Sequence, residues 1–146
     1  MIVYSFKDTS GAFSHPLAGN FSFFGQIGLG RFTVSMATER TAHATASDGT
    51  VMVSAIAGDS GAVAIEVQQT SALHQFLLAW LNQCLTAMSG GDVTNWATAT
   101  LSLRNITTNT YHTLQGISPG KMPDMPYTAQ GENVVWTLMA ADVQNG

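Results

Sequence analysis

From Val67 to Gly91 the chain has no Asp, Glu, Lys or Arg, yet the residues from Ser71 to Met88 recur at helical spacing. At roughly 100° per residue, Phe76, Leu77, Trp80, Leu81, Cys84 and Met88 fall on one broad face. Leu78 and Leu85 widen that face, leaving Gln75, Asn82, Gln83 and Thr86 as a narrow polar strip. A helix on a monomer's surface ordinarily has a wider, charged outer face. This helix is therefore expected to be covered on more than one side, which points to self-assembly.

The rest of the composition agrees. Charged residues make up 10% of the chain, against roughly 25% in soluble domains, so Ser and Thr supply much of the polarity. Few charges keep neighbours away, which suits permanent protein contacts. With 146 residues and 45% hydrophobic content, the chain can bury a core of its own, and residues 1–146 are expected to form one domain. The net charge is −4 and the pI ≈ 5.3. Lys7, Arg31, Arg40, Arg104 and Lys121 are scattered, which argues against holding nucleic acid by its phosphates. Cys84 is alone, so no intrachain disulfide can form, and its place on the apolar helix face reads as a small buried hydrophobe. The opening Met1–Asp8 has no basic region followed by a long apolar run, so no signal peptide is expected. His74, Gln75, Asn82 and Gln83 interrupt the charge-free segment, so no membrane insertion is expected.

Strand patterns surround the helix. Ile2 to Phe6 reads as a short strand and Asp8-Thr9-Ser10-Gly11 as a turn. Gly19 to Gly30, with Phe21, Phe23 and Phe24, reads as an irregular loop with aromatic anchors. Arg31 to Thr38 alternates, as does Thr41 to Ser47, where Ala42, Ala44 and Ala46 form an all-alanine side that lets another strand or subunit approach closely. Asp48-Gly49 is a tight-turn signal, followed by a return strand over Val51 to Ala57. Gly58–Gly61 turns again into a strand over Ala62 to Gln69. Thr70 or Ser71 caps the helix and Ser89-Gly90-Gly91 ends it. Ala97 to Arg104, Tyr111 to Ile117 and Asn133 to Met139 read as further strands, with Pro119, Pro123 and Pro126 in the loop before the last. The expected fold is mainly β: an antiparallel β-sandwich or open barrel with one packed α-helix.

Catalytic patterns are weak. Gly25, Gly28 and Gly30 have the wrong order for a dinucleotide fingerprint and precede no helix, so a glycine-rich turn is the better reading. His15, His43, His74 and His112 are far apart, none with a Cys or His at metal-ligand spacing. His74, near the helix start, reads as a packed or interface histidine. Asp8, Asp48 and Asp59 sit in turns, where carboxylates bond nearby backbone N–H groups. There is no G-x-S-x-G elbow. No catalytic residue, cofactor or metal is expected, and the chain does not read as an enzyme.

Several segments in order resemble the tail tube proteins of contractile-tailed bacteriophages. Tyr4-Ser5-Phe6-Lys7-Asp8 is similar to that family's opening, and Ala46-Ser47-Asp48-Gly49-Thr50-Val51-Met52-Val53-Ser54 to its hairpin turn and return strand. Ala57-Gly58-Asp59-Ser60-Gly61-Ala62-Val63-Ala64-Ile65-Glu66-Val67 then leads through Thr70-Ser71 into a helix. Asn95-Trp96, and Pro123-Asp124-Met125-Pro126-Tyr127 before Val135-Trp136-Thr137-Leu138, complete the likeness. The resemblance implies a structural subunit of a virion tail, assembled in the host cytoplasm. Its first partner is itself, in hexameric rings stacked into a tube. Sheath, baseplate and tail-terminator proteins are the other implied partners, with DNA as a transient lumen cargo. At −4 per subunit, a lumen lined by hydroxyls rather than carboxylates is expected. The subunit interface is expected to use Ala42, Ala44, Ala46, His74, Leu78 and Leu85. Two other kinds of particle share the architecture: needles of contractile secretion systems and prophage-derived tailocins. From a different class, a monomeric β-sandwich binding module would use Phe21, Phe23, Phe24 and Trp96 as an aromatic platform. A small hydrolase comes last, since no acid, base and nucleophile group by spacing.

Overall fold

Alternation of apolar and polar residues sets the architecture. The computed structural model describes residues 3–24 and 29–145. Among these, ten strands and one α-helix follow a 3-10 turn at Phe6–Asp8: β1 (Thr9–His15), β2 (Gly19–Phe24), β3 (Leu29–Met36), β4 (Thr41–Thr45), β5 (Val51–Ala55), β6 (Gly61–Gln68), α1 (Ala72–Ser89), β7 (Ala99–Asn105), β8 (Thr110–Pro119), β9 (Asn133–Ala140) and β10 (Asp142–Asn145). In β1, β6, β7 and β9 every second residue is buried, the signature of a sheet with one face in a core.

The main sheet is antiparallel, in the order β2-β1-β7-β8-β9-β6-β3. Strands β9 and β10 form one line along β8 with a bend at Ala141, whose N–H bonds the carbonyls of Gln115 and Gly116. The two ends of this order meet: the rings of Phe23 on β2 and Phe32 on β3 lie 6.3 Å apart, edge to face. The sheet therefore curls into an open barrel, the second of the two arrangements expected. Its seam lies between β2 and β3.

Helix α1 packs on the concave side. It contributes Leu73, Leu77, Trp80, Leu81 and Cys84 to a core shared with Phe13, Ile65, Leu101, Leu114, Trp136 and Leu138. Phe13 stands edge to face against both Trp80 (5.0 Å) and Phe76 (5.5 Å). A helix without charges has no i,i+4 ion pairs to support it, so packing must hold it. Each fully buried large apolar side chain contributes about 1.5–3 kcal/mol, and four from one helix, with Cys84 beside them, are ample. Its start is capped by Ser71, whose Oγ accepts from the His74 N–H at 3.1 Å. At its end the Gly90 N–H bonds the carbonyls of Thr86 and Ala87.

Some expected elements lie elsewhere. Residues 3–8 form no strand but an irregular stretch and the 3-10 turn. Strand β1 begins at Thr9, inside the segment read as a turn. The reason is Gly11: a Cβ there would stand 2.4 Å from the Phe23 ring, so this glycine marks a close approach within a sheet. Gly19 to Phe24 is β2 and not an irregular loop, held by its pairing with β1 from Ser10↔Phe24 to His15↔Gly19. Gly25 and Gly28 of the glycine pattern lie outside the described residues. Met88, placed on the core face by its angle, is exposed near the end of α1, beyond the reach of the sheet.

Candidate assembly surfaces

Among the described residues, strands β4 and β5 pair only with each other. The turn between them has Ala46 N–H bonded to the Thr50 carbonyl and Gly49 N–H to the Ala46 carbonyl. Gly49 sits at φ +90°, where a Cβ is disfavoured, which gives a three-residue loop closed by glycine. Asp48 at the tip accepts from the Thr50 N–H at 2.9 Å, and that bond holds its carboxyl below the usual range. Every residue of both strands is exposed. At its root the hairpin is tied to the body by Arg40 with Asp59 and by Ala37 N–H to the Ser60 carbonyl.

The register sorts the two faces of this arm. Ala42 and Ala44 lie beside Ser54 and Met52, with Ala46 following in the turn. The other face carries Thr41, His43 and Thr45 opposite Ala55, Val53 and Val51. Met52 is 65% exposed and Val53 62%, one on each face. Strand periodicity in the sequence finds these residues but cannot tell that no sheet covers them.

The expected helix contacts divide. Leu85 is 39% exposed and outside the core, with Met88 exposed one turn on. Leu78 is half-buried and packs against the subunit's own core. His74 is enclosed by this subunit: the Trp136 indole N–H donates to its Nδ1 at 3.0 Å, and burial pushes its pKa down. His15 is a second buried histidine. Its Nδ1 accepts from the N–H groups of Leu17 and Ala18, so the ring proton sits on Nε2, which donates to the Asn95 carbonyl at 2.9 Å. It thereby ties the β1–β2 turn to the segment after α1. Sequence spacing alone could not have joined His15 to Asn95.

The chemistry of nucleophiles and ligands is sparse. Cys84 is buried, 4.0 Å from His15 Nε2, and burial raises its thiol pKa away from the reactive thiolate. Among the described residues no three His, Cys, Asp or Glu side chains gather to hold a metal ion. No described helix is long and apolar enough to cross a membrane. Phe23 is buried in the core, and Phe21 and Trp96 pack against it. These aromatics hold the fold together and do not form an open platform. The Phe24 side chain lies outside the described residues.

Met36, Gly61 and Ala140 lie level with Ala99 and Ile117, and from there the root of the β4–β5 hairpin runs beside β10, with the Val143 N–H on the Asp59 carbonyl. Asn133 starts β9 on one side of that level, and Thr9, Asn105 and Thr110 stand together on the other, at the start of β8. There Asn105 is buried and satisfied, donating to Thr9 Oγ1 and accepting from the Thr108 N–H. A cavity of about 150 Å³ opens beside Asn105, lined by Tyr4, Thr9, Arg104, Asn105, Thr108 and His112 among others.

The family model described as Bacteriophage PhiTE tail tube protein matches residues 1–146. No curated protein matches the sequence. Similar solved structures include a cryo-EM chain of the PVC sheath/tube terminator of an extracellular contractile injection system in its extended state. Its TM-score is 0.61 at 10% identity, covering 93% of this chain and 92% of that one. A chain of the sixfold-symmetrised anti-feeding prophage baseplate has a TM-score of 0.59 at 15% identity, over 99% and 95% of the two chains. A chain of the PVC sheath–tube complex in the extended state has a TM-score of 0.55 at 12% identity, over 93% and 87%. At these identities the likeness is one of fold.

Proposed function

The chain belongs to the Bacteriophage PhiTE tail tube protein family, and from that premise we propose that it builds hexameric rings which stack into a tube and let DNA pass during ejection. It is a structural tail component. The observation that carries the finer reading is the β4–β5 arm, exposed on both faces and unpaired on both edges. An isolated two-stranded hairpin is marginal in water, and its apolar Val51, Met52 and Val53 gain burial only from another chain. Ala42, Ala44 and Ala46 allow close approach on one side of the arm. Leu85, with the half-buried Leu78, offers a second contact on the helix, while His74 acts inside the subunit.

The similar solved structures are chains of a sheath/tube terminator, a sheath–tube complex and a sixfold-symmetrised baseplate. They support sheath, baseplate and terminator as partners and the virion tail as the site of action; we place assembly in the host cytoplasm as part of the same proposal. The same likeness favours a second reading, the inner tube of a related contractile injection particle. Electron microscopy of the purified protein, with and without baseplate nuclei, tests the proposal. Sixfold rings and tubes are expected, and Leu85→Asp should stay a folded monomer. A wild-type protein that remains monomeric at high concentration on supplied nuclei overturns it.

A further inference from the structure

The turn of the β4–β5 arm joins an aspartate to a glycine, and nothing crowds the pair. Asp48 is exposed, and Gly49 has nothing within 4 Å of where a Cβ would stand. In such a pair the glycine's backbone nitrogen can attack the aspartate's carboxyl carbon. A C–N bond closes a succinimide ring, and the carboxyl hydroxyl and the amide hydrogen leave as water. Water then reopens the ring. Opening at the main-chain carbonyl carbon routes the backbone through the former side chain and gives isoaspartate, of unchanged mass but with an extra methylene in the chain. Glycine suits the attack because no side chain shields its nitrogen. Every other aspartate here precedes Thr, Ser, Val or Met.

The closed hairpin keeps both reacting groups from this step. The Gly49 N–H is bonded to the Ala46 carbonyl at 3.0 Å, and the Asp48 carboxylate accepts from the Thr50 N–H at 2.9 Å. That bond holds the carboxyl in its ionised form, which has no hydroxyl to lose and is a poor electrophile. Opening the turn frees both groups together. Little keeps the arm closed, since every residue of β4 and β5 is exposed and a lone two-stranded hairpin is marginal in water.

We propose that Asp48 is a site of spontaneous isoaspartate formation in unassembled subunits, and that assembly stops the reaction by holding the arm closed. The added methylene shifts the turn out of the register that joins Ala46 to Thr50, so an isomerised subunit loses its hairpin. Unassembled chains thereby lose assembly competence with age. The chemistry stands on the arm alone, and the protection rests on the tube reading.

Soluble subunits and tubes of the wild type, incubated side by side and digested, are compared by chromatography and mass spectrometry of the peptide around Asp48. Soluble subunits should accumulate a mass-neutral isomer, preceded by a species lacking one water. Tubes should show on the order of tenfold less, because the rate follows the open population. Deamidation at Asn145, which also precedes glycine, raises the mass and lies in another peptide. Asp48→Glu should abolish the isomer, because glutamate must close a larger, slower-forming ring. A staple isolates the role of opening. The Ala46–Thr50 and Ile56–Arg40 bonds leave His43 and Val53 as a close pair between hydrogen-bonded ones. His43→Cys with Val53→Cys can therefore be oxidised to a disulfide, with Cys84 buried out of reach. The oxidised soluble subunit should isomerise several-fold more slowly than the reduced one. No isomer in soluble wild type, or equal rates with the staple closed and open, overturns the site whatever the protein assembles into. Equal isomer in soluble subunits and tubes overturns the protection. If supplied nuclei yield no tubes, the tube reading falls, and the soluble subunits and the staple still decide the chemistry at Asp48.

Discussion

His74 occupies the third position of α1 after its cap, where three effects oppose a charge on the ring. Burial removes water, the helix N-terminus presents its positive end, and Nδ1 is already taken by the Trp136 N–H. The folded state therefore holds His74 neutral, with its pKa below the usual histidine value. Above about pH 6.5 the ring is neutral folded or unfolded, and its full contribution is present. As pH falls below that, the unfolded chain takes up a proton that the folded chain refuses. Stability then drops by up to about 1.4 kcal/mol per pH unit until the folded pKa is reached. Asp48 and Asp92, held low by the N–H groups of Thr50 and Thr94, lose their contributions only below about pH 4, so the windows do not overlap. His74→Leu leaves the Trp136 N–H without an acceptor and should cost about 1–3 kcal/mol at pH 7.5. It should also lose less stability than wild type between pH 7.5 and 5.5. Urea unfolding of both proteins at both pH values measures this, and equal losses would remove His74 from the account. The sequence places this histidine at the helix start but not its indole partner, which lies 62 residues away.

At the scale of elements, the arm from Glu39 to Asp48 with its return strand has little support from the rest of the described chain. Ordering each residue costs roughly 1–2 kcal/mol of backbone entropy, and the alanine side offers little apolar area in return. We expect these amides to exchange freely in soluble subunits and to be protected in tubes, because burial of both faces comes only from neighbours. Equal protection of residues 39–48 in the two states would count against an arm that orders on assembly. Ala44→Trp should block stacking by filling the close-contact side. The register adds a variant that alternation in the sequence did not suggest: Val53→Asp, on the opposite face, should block it as well. Elements were legible where a local pattern matched its surroundings. The capped helix, the Asp48-Gly49 turn and the alternating strands β3, β6, β7 and β9 fall close to their expected places. Strand β1 was hidden because Gly11 fits under Phe23, a contact made across strands. The short polar β10 was missed because it only prolongs β9 along β8 after the bend at Ala141.

For the whole molecule, the two sides of the curled sheet cannot exchange roles. The concave side is filled by α1 and the shared core, which leaves only the convex side free to line a channel. The registers place Ser22, Ala12, Ser102 and Thr113 side by side across β2, β1, β7 and β8, with Ser14 beside Thr100 in the next row. On β6 and β3, Ala62 and Ala64 stand beside Ser35 and Thr33, and Arg31 is matched by Glu66. The convex face is therefore built mainly of hydroxyl and apolar side chains, with Val135 and Met139 of β9 exposed on it and Arg104 at its edge. A wall with so little net field neither attracts nor strongly repels a polyanion, and what interaction remains is weakly dependent on salt. In assembled tubes we expect Ser102 to face the lumen and Met88, at the far end of α1, to face outward. Cysteines introduced at these positions separate the two sides. Ser102→Cys should react with a small maleimide but resist one coupled to a protein too large to enter the tube, whereas Met88→Cys should react with both. The reverse pattern would put the helix inside the tube and the hydroxyl face outside. Ser102→Lys then tests the wall's chemistry: on the proposed tube reading, one added ammonium group per subunit should hold DNA in the tube at low salt and release it as counterions screen them. DNA passage equal to wild type at low salt would mean that the convex face does not touch the cargo.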